Sequence, residues 1–238
     1  MTAETFTQEG RVARSESMTV DGAVNKTAIT LLILTATAAF VWNRFFSGQP
    51  VQGFMLGGAL GGFVVALITI FKKTAAPYTT PLYGALEGLF LGGLSATLEA
   101  RYPGIVVQAV ALTFATLFAL LLAYRSKLIQ VTANFRLGLT AATGAIALVY
   151  LAGLILSFWN IRIPLIHESG PVGILFSLFV VGIAAFNLVL DFDFIEHGAE
   201  RGAPKFMEWY AAFGLIVTLV WLYIEILRLL SKLQSRRS

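Results

Sequence analysis

The chain has 238 residues, 57% of them hydrophobic and only 13% charged, with a mean hydropathy of +0.79. An ordinary soluble domain carries about a quarter charged residues, so this balance excludes a water-soluble globule, and 19 phenylalanines exclude a disordered chain. The lack of cysteine excludes disulfides, thiolate metal sites and cysteine nucleophiles. A formal charge of +4 spread between apolar runs marks topology rather than a face for nucleic acid.

Residues 1–26 are polar, with Glu4, Glu9, Glu16 and Asp21 among Arg11, Arg14 and Lys26. A cleavable signal peptide would begin basic and turn apolar at once, so a disordered cytoplasmic leader is expected here. Seven apolar segments follow: Thr27 to Phe46, Val51 to Phe71, Pro81 to Leu98, Gly104 to Tyr124, Leu137 to Trp159, Val172 to Phe194 and Trp209 to Leu230. Each has about 18 to 23 residues, enough to cross a hydrocarbon core of about 30 Å as a helix. The seven prolines, Pro50, Pro77, Pro81, Pro103, Pro164, Pro171 and Pro204, fall between segments or on their first turns. Trp42, Trp159 and Trp209 stand at segment ends, as an interfacial belt requires. The runs are apolar all round, without alternation, so the expected fold is an all-α integral membrane protein, a seven-transmembrane-helix bundle over residues 27–230 with a short basic tail at 231–238.

Counting lysine and arginine between segments gives ten on the side of the N-terminus and three on the other, which puts the N-terminus in the cytoplasm. Arg228, Lys232, Arg236 and Arg237 then lie against that rule if the last segment crosses fully. Two segments carry glycines four apart, Gly53, Gly57 and Gly61, then Gly84, Gly88 and Gly92, a spacing that lets helix backbones approach closely.

Four acids fall inside or at the edge of apolar runs and are the candidate pH-sensing or ion-pathway residues: Glu87, Asp191, Asp193 and Glu225. A charge at the bilayer centre costs about 2.5 to 3.5 kcal/mol on insertion scales, so such groups face a bundle interior, pair, or line a water path. Glu225 either pairs with Arg228 at i+3 or stays inside while Arg228 snorkels outward. Asp191 shares a helical face with Asn187 and Ile195 and is the expected interior acid, whereas Asp193 reads as part of a solvated acidic helix end with Glu196 and Glu200. Glu87 reads as a hydrogen-bonded structural carboxyl beside the Gly84 and Gly88 ladder.

Around these residues the stretches Leu188-Val-Leu-Asp191-Phe-Asp-Phe-Ile195-Glu-His197, Tyr83-Gly-Ala-Leu-Glu87-Gly-Leu-Phe-Leu-Gly92 and Leu222-Tyr-Ile-Glu225-Ile-Leu resemble the transmembrane Bax inhibitor motif family, in its bacterial YccA-like branch. The resemblance implies seven helices with the last one central, a bacterial inner membrane, and two acids of the last two helices that act as a pH-sensing pair gating a calcium leak. Asp191 matches the first acid and Glu225 the second, where the family usually has Asp; calcium is then the transported ion and the metal expected at the two. Arg228, Lys72 and Lys73 are the candidate basic partners for a released carboxylate. With a turn at Gly202-Ala203-Pro204, Asp191 lies about 15 Å and Glu225 about 30 Å along their helices, an offset that shrinks if Lys205 to Tyr210 lies flat along the interface. The branch also implies an alternative, a non-conducting regulator that binds a membrane protease, with the polar leader as its recognition element. No cofactor and no enzyme activity are expected. Ser95 has no histidine in an apolar span to serve as its base, and His167 and His197 lie outside such spans.

Overall fold

A computed structural model describes residues 16–157, 159 and 170–236. The leader up to residue 15, together with Arg162, Pro164, His167 and Arg237, lies outside the described residues. Seven α-helices occupy them: α1 Val20–Phe46, α2 Gln52–Phe71, α3 Ala76–Arg101, α4 Ile105–Arg125, α5 Ala133–Ser157, α6 Pro171–Glu200 and α7 Met207–Ser235. The fold is the expected all-α membrane bundle, and six of these helices are long and apolar enough to cross a membrane. The exception is α3, whose 26 residues include Thr79, Thr80, Pro81, Glu87, Ser95 and Glu99. It begins five residues ahead of Pro81, which therefore sits inside the helix and removes one backbone donor from it.

The first helix also begins earlier than expected. Thr19 is its N-cap, its hydroxyl oxygen accepting the Gly22 N–H at 2.9 Å, and Asp21 lies in the positively polarised first turn. The stretch from Glu16 to Lys26 is thus structured, a correction to the disordered leader drawn over residues 1–26.

One compact unit contains the chain through Thr97 together with Asp193–Val217. In it α3 lies on α1 along its glycines: a methyl added at Gly84 would meet Thr30, at Gly88 Thr37 and the Leu34 carbonyl, and at Gly92 the Ala38 backbone. The α2 contact differs from the expected ladder. Gly53 and Gly57 face open space, whereas Gly58 abuts the Leu86 carbonyl and Phe90 amide of α3, Gly61 the Leu86 side chain, and Gly62 the Glu87 carboxyl. A one-residue shift of face results because the close approach follows Gly58 and Gly62, which are also spaced four apart.

In the same unit the chain ahead of α1 is clasped to the connection between α6 and α7. Met18 N–H donates to the Ala203 carbonyl at 2.6 Å, and Lys205 N–H to the Glu16 carbonyl at 2.9 Å. Glu208, in the first turn of α7 and fully buried, accepts from Thr19 N–H at 3.0 Å and from the Thr19 hydroxyl at 2.9 Å. Its carboxylate also faces Lys205 at 2.8 Å and Lys26 at 3.5 Å. A side chain at Gly22 would collide with that carboxylate. The turn itself is where the sequence puts it, with Gly202 at φ +63°, a region that favours glycine. Because α7 starts at Met207, Lys205 to Tyr210 is not a flat interfacial stretch.

The other unit contains Leu98–Phe192 and Thr218 onward. Gly104, at φ +84°, opens α4, and Glu99 accepts from Gly104 N–H at 2.6 Å and Val106 N–H at 3.0 Å, satisfying donors that a helix start leaves unpaired. Edge-to-face ring pairs Phe135–Phe186 and Tyr150–Phe176 join α5 to α6. Over half of the most apolar window of α7 is enclosed, against a third or less in every other spanning helix.

Candidate functional site

Asp191 and Glu225 both belong to the second unit, on α6 and α7. The hydrogen-bond partner of Asp191 is the side chain of Thr218 on α7, itself buried. The two residues stand at matching depth, each about ten residues, or ~15 Å, from the connection. The second oxygen of Asp191, Oδ2, is buried and has no hydrogen-bond partner. One turn earlier on the same face, Asn187 donates through Nδ2 to the Thr143 hydroxyl of α5 and to the Ile183 carbonyl, both at 2.9 Å.

Glu225, 1% exposed, has a different environment. The Tyr150 hydroxyl of α5 lies 3.0 Å from both of its carboxylate oxygens, and Arg228 Nη1 lies 3.0 Å from Oε1. Arg228 also donates to the Tyr150 hydroxyl and lies over that ring at 4.8 Å. Arg228 is thus the basic partner among the three candidates. One turn further, Lys232 is buried and donates to the Gly173 carbonyl at 3.0 Å and the Ser177 hydroxyl at 2.9 Å, at the start of α6.

Each acid thus has hydrogen-bond partners other than the second acid. Asp191 engages Thr218, and Glu225 lies seven residues, ~10 Å, further along α7, engaged by Tyr150 and Arg228.

The remaining candidates lie in the first unit. Glu87 is hydrogen-bonded to Tyr83 one turn before it and faces Gly62, whose missing side chain leaves room for Oε1. Lys73 Nζ lies over the Tyr210 ring at 5.2 Å, and Lys72 is exposed at the end of α2. Asp193 is 6% exposed rather than solvated, a correction; His197 Nδ1 approaches its carbonyl at 2.9 Å and its Oδ1 at 3.3 Å. The helix continues to Glu200, so Asp193 is interior to α6 and not its end.

Tyr150, Thr218, Lys232 and Glu208 were not singled out from the sequence. Only their residue types within or beside apolar runs could have flagged them. Among the described residues no three His, Asp or Glu side chains gather as a metal cluster. What the second unit offers instead is two carboxyls, one held by cationic and phenolic donors and one half-satisfied beside Thr218.

No curated protein and no solved structure matches the chain. A family model described as Bax inhibitor 1 like matches residues 1–235. The chain belongs to the Bax inhibitor 1-like family and is an integral membrane protein of that family.

Proposed function

We propose that this protein is a pH-responsive calcium leak, a transport protein rather than an enzyme, with its N-terminus in the cytoplasm and the bacterial inner membrane as its site. The observation that supports this reading is the Asp191 carboxyl, held within α6 with a buried oxygen that no protein group satisfies. A buried carboxylate in a spanning helix is retained at a cost, and a passing hard cation would use such an oxygen. Asp191 and Glu225 act in this reading as two successive carboxyl positions and not as a proton-sharing pair. Protonation removes the negative charge a cation needs, so flux falls as the medium is acidified. Glu225 enters only when Arg228 releases it. The test is calcium flux into dye-loaded proteoliposomes across a pH series. Wild-type protein conducts with flux rising as pH rises, and Asp191→Asn flattens that profile. An unchanged profile in Asp191→Asn, or no flux from wild-type protein, overturns the reading.

The anchored start of the chain favours a second reading, a regulator that binds another membrane protein such as a protease. Met18 and Thr19 are bonded to the α6–α7 connection, and in this reading the polar leader ahead of them is the element a partner recognises. Deleting residues 2–15 would then abolish partner binding and leave calcium flux intact.

A further inference from the structure

Between Lys26 and Lys72 the chain carries a single charged side chain, Arg44. It lies in the last turn of α1, a helix long and apolar enough to span a membrane, and so stands where the hydrocarbon gives way to headgroups. The guanidinium carbon lies over two aromatic rings, Phe40 of α1 at 5.5 Å and Phe54 of α2 at 5.2 Å, and the rings meet edge to face at 5.6 Å. Ring faces hold the planar group in place but satisfy none of its five donors. Arg44 Nε is buried without a hydrogen-bond partner, and among the described residues no carboxylate pairs with the side chain. The carbonyls at the end of α1, which a last-turn cation can serve, have other donors: Ser47 N–H and hydroxyl bond to Asn43, Gly48 N–H to Phe45, and Gln49 N–H to Arg44 itself. A charged fork with no acceptor in the fold calls for one outside it. Next to Phe54 on α2, Gly53 and Gly57 face open space and Leu56 is exposed, so no side chain of the protein covers this strip.

We propose that Arg44, backed by Phe40 and Phe54, binds the phosphodiester of an anionic phospholipid whose acyl chains lie along the bare strip of α2. Two phosphate oxygens match two N–H groups of a guanidinium, and a fork already fixed by rings loses little freedom on binding. The occupant is a lipid rather than a dissolved anion because the site opens among apolar side chains that a bilayer covers, with Phe40 and Phe46 both about half-exposed. An anionic lipid gains more than a zwitterionic one. In phosphatidylcholine the choline ammonium offsets the charge of its own phosphate, whereas in phosphatidylglycerol the phosphate is the sole charge and the arginine its counter-ion. The inference stands apart from the leak reading, since it involves α1 and α2 of the first unit alone.

The experiment is native mass spectrometry of the full-length protein in detergent, titrated with dioleoylphosphatidylglycerol, with dioleoylphosphatidylcholine and with sodium phosphate, and thermal unfolding of the same samples. Wild-type protein retains one phosphatidylglycerol in preference to phosphatidylcholine. Arg44→Gln weakens that retention about tenfold, and Arg44→Lys, which keeps the charge but loses the fork, about threefold. Arg125→Gln, at an exposed arginine in the last turn of α4, leaves it unchanged. Phosphatidylglycerol raises the unfolding temperature of wild-type protein and not that of Arg44→Gln. Should Arg44→Gln fail to fold, Arg44→Lys carries the comparison. Unchanged retention in the Arg44 variants overturns the site. Equal losses in Arg44→Gln and Arg125→Gln show general charge attraction and overturn it as well. An Arg44→Gln variant that is less stable yet gains as much as wild-type protein from phosphatidylglycerol reduces Arg44 to a tie between α1 and α2 and overturns the proposal. Displacement of the lipid by millimolar sodium phosphate overturns the lipid as occupant.

Discussion

Replacing Glu208 by alanine is expected to open the clasp that holds the start of the chain to the α6–α7 connection. The carboxylate accepts two hydrogen bonds from Thr19 and faces two lysine ammonium groups. A hydrogen bond to a charged group contributes about 1.5–3 kcal/mol net. Thr19 is exposed and its bonds are half-buried, so the lower end of that range applies to each. Lys26 and Lys205 have 27% and 49% of their side chains in solvent and return to water when released, so their pairs add ~0–1 kcal/mol each. The sum is about 3–5 kcal/mol of local stability, or between ~10²-fold and ~5 × 10³-fold in the opening equilibrium. Hydrogen–deuterium exchange reads this directly at three amides, Met18, Thr19 and Lys205, each bonded across the clasp. Exchange there accelerates in Glu208→Ala by that factor, while amides of α4 keep their wild-type rates. Glu208→Gln retains an acceptor for Thr19 and loses the lysine pairs, so its acceleration is smaller, about tenfold or less. Unchanged exchange at the three amides in Glu208→Ala would refute the assignment of the carboxylate as the clasp's anchor.

Further outcomes follow from the packing and the caps. Gly88→Val drives a side chain into Thr37 and the Leu34 carbonyl and is expected to cost about 1–3 kcal/mol or prevent folding, whereas Gly57→Ala, facing open space, stays within about 0.5 kcal/mol; thermal unfolding in detergent separates them. Glu99→Ala removes the acceptor of the Gly104 and Val106 amides and should cost about 1–2 kcal/mol, read as faster exchange at the start of α4. Tyr150→Phe deletes the hydroxyl shared by Glu225 and Arg228 and should lower stability by about 1–3 kcal/mol; an unchanged unfolding temperature would show that water replaces it.

The number of helices and their spanning character were legible because long runs apolar on every side have no other stable form in lipid. Helix starts were less so. Thr19 and Asp21 form a capping signal, but it lies in a charged stretch that composition alone assigns to solvent. The glycine face of α3 was readable from its spacing, yet α2 contains two overlapping series, and only packing selects Gly58 and Gly62 over Gly53 and Gly57. The acids were found by their cost in an apolar run. Their separation depended on where α7 begins, which spacing left open and Met207 fixes. The Arg228 partner to Glu225 was one of two weighed outcomes, while Tyr150 came from a helix that no pattern linked to it.

The clasp joins residues separated by 189 positions. During synthesis, Thr19 leaves the ribosome long before Glu208 exists, so this closure cannot form until the seventh helix has been made. A nascent chain interrupted before that point lacks the Ala203 carbonyl and the Gly198 contact that cover Met18. In the finished protein the two segments are joined, and this closure comes late in synthesis.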